Sequence, residues 1–307
     1  MTRNVITIAT GKELYVKLAI NLARSFFWWH KETDINFILV TDLTLELPAD
    51  LINKIQLRAI NADEVGTGFS SKLYLDRLAP QGQTLFIDSD CLIFGNLNWL
   101  FERFKGHAVS VVGNYIKDGE WFGNITEVRK AFNLPHIPKF NGGIYYLEKG
   151  EKASAVYETA RELEKRYDEI GFVRLRNKPN DEVLMALAMQ LHEQRPIVDD
   201  NTVMSDPQAY PGEFYVNVIT GKRWLSNGNE KIAPAIVHFL GDYTHHYLYK
   251  INVYRLQELY NNSMLTELIG LTTIKYPSLI KTNLKNIFRP IYHFIGGYRK
   301  IKPSDRL

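Results

Sequence analysis

Two short apolar runs, Val5 to Ala9 and Asn36 to Val40, read as strands. Between them, Lys12 to Trp29 places Tyr15, Leu18, Ala19, Leu22 and Phe26 at helical spacing, which predicts an amphipathic helix. Ile55 to Ile60 alternates and predicts a third strand. Ser70 to Leu78 predicts a short helix, and Thr84 to Ile87, behind the turn-like Pro80-Gln81-Gly82, a fully buried strand. This alternation predicts a parallel, doubly wound α/β sheet. Further on, Val109 to Val112 and Gly143 to Leu147 read as strands, and Ala153 to Tyr167 and Asp181 to Leu191 as helices. Pro207 to Gly228 reads as irregular with one strand at Phe214 to Ile219. Ala235 to Val237 is a last strand, followed by a helix over Leu248 to Tyr260.

Composition changes this picture little. The chain has 307 residues, 45% hydrophobic and 23% charged, the balance of a water-soluble protein with a sizeable core. Its single cysteine, Cys91, excludes an internal disulfide and fits a reducing compartment. With no signal-like stretch and no run long enough to span a bilayer, a cytoplasmic location is expected. Charge is more telling. Residues 271–307 carry eight basic groups against one acid, whereas the rest carries 29 basic and 33 acidic groups. In the tail, Leu279, Ile280, Leu284, Ile287, Phe288, Ile291, Tyr292 and Ile295 recur near helical spacing around Lys281, Lys285 and Arg289. A basic amphipathic segment of this kind is expected to meet an anionic membrane surface or to pack on the domain. Nucleic acid is not expected as a partner, since the body is acidic and no binding motif accompanies the tail.

The chemistry is concentrated in Asp88-Ser89-Asp90, at the carboxyl end of the Thr84–Ile87 strand. Ligands bind beyond that end of strands in open α/β sheets. Two carboxylates one residue apart repel unless a cation lies between them. Hard oxygen ligands suit Mg²⁺ or Mn²⁺ held together with phosphates. No phosphate-cradling glycine loop follows a strand. Other candidate groups are Ala9-Thr10 with Tyr15, Lys72, Asn141-Gly142-Gly143, Asp181-Glu182 and His238-Phe239-Leu240-Gly241.

Four of these blocks, in this order, resemble the family 8 glycosyltransferases, the group of glycogenin and the bacterial lipopolysaccharide hexosyltransferases. They are Ser71-Lys72-Leu73, Phe86 to Asp90 with Asn96 to Phe101, Phe140 to Ile144, and Val237 to Gly241. The resemblance implies a GT-A-type nucleotide-diphospho-sugar transferase fold. That means a Rossmann-like mixed sheet flanked by helices over residues 1–247, with a helical basic segment over 248–307. It implies that Asp88, Asp90 and His238 bind Mn²⁺ (or Mg²⁺) bridging the diphosphate of a UDP-sugar. Ser89 would lie near the ribose, Ala9, Thr10 and Tyr15 would line the uridine site, and Lys72 would offset phosphate charge. Gly142, Gly143 and Gly241 belong to the same donor-binding blocks. Asn141, Asp181 and Glu182 would hold the donor sugar, as the catalytic set. The implied activity is retaining transfer of a hexose from a UDP-sugar to a carbohydrate acceptor, lipid-linked if the tail meets a membrane.

Two departures stand out. Where the family often has a lysine after the glycine of its last block, Gly241 is followed by Asp242-Tyr243-Thr244-His245-His246, leaving His245 or Lys250 as substitutes. Where the family commonly has Asp-Gln, this chain has Asp181-Glu182. Blander readings stand beside each candidate. His238 and Tyr15 could be core residues, Lys72 a solvated helix residue, Asn141 to Gly143 a tight turn, and Asp181-Glu182 first-turn acids after Pro179. Two rival functions remain: a nucleotide-sugar-binding scaffold without turnover, and a phosphatase using Asp88 as nucleophile and Asp90 as acid/base.

Overall fold

The computed structural model describes residues 1–258 apart from 62, 63 and 67, and beyond them 272–277, 280 and 284. In chain order the first elements are β1 (Arg3–Ile8), α1 (Glu13–Trp29), β2 (Ile35–Thr41), β3 (Ile55–Ala59), α2 (Leu75–Leu78), β4 (Gln83–Ile87), β5 (Cys91–Ile93) and α3 (Asn98–Phe104). Next come β6 (Val109–Ser110), β7 (Val112–Ile116), α4 (Ile125–Ala131), β8 (Ile137–Phe140), β9 (Ile144–Glu148), α5 (Glu151–Lys165) and α6 (Asp181–Leu191). The rest are β10 (Ile197–Val198), β11 (Met204–Ser205), β12 (Phe214–Val216), β13 (Arg223–Asn227), β14 (Glu230–Ile232), β15 (Ile236–His238) and α7 (Tyr247–Glu258). Short 3₁₀ helices at Gly68–Tyr74 and Gly241–His245 precede α2 and α7.

Among the described residues the central sheet runs β3-β2-β1-β4-β9-β6. The first four strands are parallel; β9 is antiparallel to β4, and β6 to β9. The sheet is therefore mixed, not the fully parallel one that the strand–helix alternation predicts. The apolar runs are continuous because both faces are covered. Val5, Phe37, Leu39, Leu85 and Ile87 face the layer of α1 and α3. Their neighbours Ile6, Ile8, Ile38, Val40 and Phe86 face the layer of α5 and α6. Period-two alternation in the strands thus splits one apolar run between two helical layers.

Three segments differ from the sequence reading. Val109 to Val112 is two strands: β6 ends the central sheet, while β7 pairs with β8 and β10. Gly113 permits the close approach there, since a Cβ at that residue would lie 2.3 Å from Lys139 O. Pro207 to Gly228 includes more strand than one: β12 and β13 form an antiparallel pair, and β14 joins it across Gly228-Asn229. Gly228, at φ +59, takes the left-handed backbone that a two-residue hairpin turn needs. Finally, Tyr15 is 40% exposed while Leu18, Ala19, Leu22 and Phe26 are buried, so it is not a core residue.

The helix expected to open the C-terminal segment packs on the body: Leu248, Tyr249 and Leu256 share an apolar cluster with Leu18, Leu92 and Phe239. Asn252 also accepts from Val218 N–H and donates to Val216 O. No helix among the described residues is long and apolar enough to cross a membrane. Most of the amphipathic tail, including Lys281, Lys285 and Arg289, lies outside the described residues.

Candidate functional site

The end of β4 and the start of β9 meet because Ile87 pairs with Ile144, which sets Asp88 beside Gly143; Asp88 N–H donates to Gly143 O at 2.9 Å. β15 is brought in by antiparallel pairing with β5, in register His238 to Cys91, and Phe239 N–H donates to Asp90 O. The N-terminus of α6, capped by the Asn180 side chain, supplies Asp181 and Glu182. The 3₁₀ helix Gly68–Tyr74 supplies Lys72. Of the predicted residues, Lys72, Asp88, Asp90, Asn141, Gly142, Gly143, Asp181, Glu182 and His238 converge here.

Lys72 ties the acids together. Its ammonium donates to Asp88 Oδ2 at 2.8 Å and to Gly142 O at 2.9 Å, and lies 3.7 Å from Asp181 Oδ2. Burial opposes its charge, yet Asp181 and Asp88 beside it hold the ammonium above the ordinary lysine value. Tyr145 O–H donates to Asp181 Oδ2 at 2.6 Å, and Gly142 N–H to Glu182 Oε1 at 2.7 Å. Burial raises both carboxyls; Glu182, next to the Asp181 charge, reaches about 7. A Cβ at Gly142 would come within 3.0 Å of Asp181 Oδ2, so the glycine gives these acids room.

On the other side, His238 Nε2 lies 2.9 Å from Asp90 Oδ1. That oxygen is buried, with the His238 ring as its close polar partner. Burial works against a charge on His238, but the Asp90 carboxylate outweighs it and raises the imidazole to about 9. Asp90 in turn is lowered, the His238 charge overcoming burial. An acceptor oxygen and a ring nitrogen this close need a proton or a cation between them. Among the described residues, Asp90, Cys91 and His238 can bring one ligand atom each to within 4.8 Å of one another. The carboxylate and imidazole of this group fit a divalent transition ion, while burial and the neighbouring aspartates push the Cys91 thiol up, away from the ligating thiolate; Asp88 is not part of the group. Asp88 carries the second predicted carboxylate, directed at Lys72. Ser89 is buried, its N–H donating to Asp88 Oδ1.

The remaining candidates lie on the segments that follow β1 and β15. β1 and β4 are parallel with Ile6 opposite Phe86, so Ala9 and Thr10 follow β1 level with the acidic triplet. Ala9 is buried and Thr10 half-buried. Tyr15 stands on the first turn of α1 with Lys12 Nζ 6.0 Å from its ring centroid. Gly241, at φ +61, opens the 3₁₀ helix three residues after His238; His245 and Lys250 beyond it are exposed.

Sequence reasoning missed two buried partners. Tyr145 was legible only as a strand residue. Asp206, whose Oδ2 accepts from Asn141 Nδ2–H at 3.1 Å, sits before Pro207 in what reads as a turn.

The architecture matches known folds. The crystal structure of galactosyltransferase LgtC in complex with donor and acceptor sugar analogues superposes with a TM-score of 0.56, at 13% identity, over 83% of this chain and 94% of that one. An active-site mutant of LgtC gives 0.55 at 13% identity, over 84% and 95%. No protein-family model and no curated protein sequence matches the chain. The fold is thus the GT-A type, with helices on both faces of a mixed sheet, as the resemblance implied.

Proposed function

We propose that the protein is a metal-dependent retaining glycosyltransferase that moves a hexose from a UDP-sugar to a carbohydrate acceptor. The observation that carries this reading is the buried Asp90 Oδ1 facing His238 Nε2 at 2.9 Å at the carboxyl edge of the sheet. Asp88, Asp90 and His238 are the ligands, and a bound Mn²⁺ (or Mg²⁺) supplies Lewis-acid stabilisation of the leaving diphosphate. Lys72 adds a fixed positive charge beside the ligands. Ala9, Thr10 and Tyr15 bind the uridine, and Ser89 the ribose. Asp181, oriented by Tyr145 and Lys72, accepts hydroxyls of the donor sugar with Glu182 and Asn141.

The acceptor in this reading is a lipid-linked glycan at the cytoplasmic membrane face. The excess of basic groups in residues 271–307 supports it, each contributing on the order of 1 kcal/mol near an anionic surface. Tyr276, Ile280 and Leu284 add an exposed apolar row at four-residue spacing, 59%, 59% and 48% exposed. Calorimetric titration with UDP tests the site. Binding should require Mn²⁺, vanish with chelator, and be lost in Asp90→Asn with the fold intact by circular dichroism. Metal-dependent UDP binding by that variant at parental strength would sink the metal assignment.

A further inference from the structure

We infer that Asp206, on the turn after β11, is a positioning residue that decides which ring nitrogen of His238 carries the hydrogen, and so whether Nε2 is free to ligate; this rests on the metal-binding reading above. Asp206 is 6% exposed. Its two oxygens do different work. Oδ1 accepts from Gln208 N–H and Ala209 N–H, both at 2.8 Å, and closes the local turn. Oδ2 faces Asn141 Nδ2 at 3.1 Å.

A carboxylate only accepts, so Asn141 must present its NH₂ to Asp206 and its carbonyl oxygen to the opposite side. There, Asn141 Oδ1 accepts from Gly143 N–H at 2.9 Å and faces His238 Nδ1 at 3.0 Å. A carbonyl oxygen also only accepts, so the hydrogen belongs on Nδ1. Nε2, directed at Asp90 Oδ1, is left as the nitrogen able to give its lone pair to an ion. Partners behind a ligating histidine set its tautomer and orientation in this way. The imidazole has little freedom to compensate, because a Cβ on Gly143 would already sit 2.7 Å from its Nδ1. Among the described residues the hydrogen bonds of Asp206 reach Asn141, Gln208 and Ala209 and not His238, so it acts through the Asn141 amide.

Asp206→Asn isolates this relay from the turn. The new amide keeps a carbonyl oxygen for Gln208 and Ala209 but sets an NH₂ against that of Asn141. Two donors cannot pair, so the Asn141 amide turns over, gives up the bond from Gly143 N–H and presents its NH₂ to His238 Nδ1. The hydrogen is then favoured on Nε2, and ion binding is opposed. Loss of such an outer partner costs about 10–100-fold in metal affinity.

The test is Mn²⁺ affinity, read from the electron paramagnetic resonance of free Mn²⁺ during titration of the full chain. Asp206→Asn should weaken binding about 10–100-fold with an unchanged circular dichroism spectrum. The exchange Asn141→Asp with Asp206→Asn restores an acceptor beside His238 and a donor behind it, and should recover most of the loss. Parental affinity in Asp206→Asn, or folded proteins in which the exchange recovers nothing, would overturn the inference. Absence of Mn²⁺ binding in the unmutated protein would instead remove the metal reading itself, and this inference with it.

Discussion

Replacing Glu182 with Gln should stabilise the protein above neutral pH and change little near pH 5. Glu182 is held at the N-terminus of α6, where burial first, and then the Asp181 charge, raise its carboxyl from 4.5 to about 7. Between these values the folded protein keeps a proton that the unfolded chain has released, so stability falls as pH rises through that window. Above it, the ionised carboxylate destabilises the fold in full. At about 1.4 kcal/mol per pKa unit, the cost is on the order of 3 kcal/mol. Gln is nearly isosteric, and its Oε1 can still accept from Gly142 N–H, a bond of 2.7 Å in the parent. The helix N-terminus loses a negative charge, which offsets the gain by less than about 1 kcal/mol. Urea unfolding of both proteins at about pH 5 and about pH 8.5, followed by tryptophan fluorescence, measures the difference directly. Asp181 also titrates above its usual range, but it is present in both proteins. A stability difference of equal size at both pH values, or no gain at the higher one, would refute the reasoning.

Lys72→Met removes the cation between Asp88 and Asp181 and leaves their carboxylates uncompensated; the lysine side chain is only 10% exposed. Breaking a buried pair from one side costs about 3–5 kcal/mol, so urea unfolding near neutral pH should show a loss of that size, and parental stability would contradict it. Gly143→Ala sets a Cβ 2.7 Å from His238 Nδ1 and 2.9 Å from Met204 Sδ. Overpacking of this kind costs about 1–3 kcal/mol, so thermal unfolding should shift downward and Mn²⁺ titration should show weaker binding; a variant unchanged in both would mean the contact relaxes freely.

Elements whose own pattern dictates their burial are legible in the chain itself. Val5 to Ala9, Asn36 to Val40 and Thr84 to Ile87 are predominantly apolar because helices cover both faces of the sheet. Leu18, Leu22 and Phe26 follow the helical period because α1 buries one stripe. Tyr15 fits that period yet stays exposed, since with Glu13 and Leu14 it forms the first turn, at the edge of the packed layer. Strand direction is less legible: nothing local in Gly143 to Leu147 says that it runs against β4. The hairpin of β13 and β14 does carry a local signal, in the Gly228-Asn229 turn.

In the site, the acidic triplet and His238 are legible as types of ligand. Their convergence depends on the β5–β15 pairing, a contact between residues 147 positions apart at Cys91 and His238. Asp206 carries no readable signal, because before Pro207 an aspartate is an ordinary turn residue. Its second oxygen has meaning only once Asn141 is beside it.

The most direct test of the central claim is a donor screen on the purified chain with Mn²⁺. UDP-glucose, UDP-galactose, UDP-N-acetylglucosamine and GDP-mannose would be offered in turn, following nucleotide diphosphate release with and without chelator. The account predicts chelator-sensitive release of UDP from one of the UDP-sugars and none from GDP-mannose. Release unaffected by chelator, or no interaction with any uridine nucleotide in the presence of Mn²⁺, would contradict it.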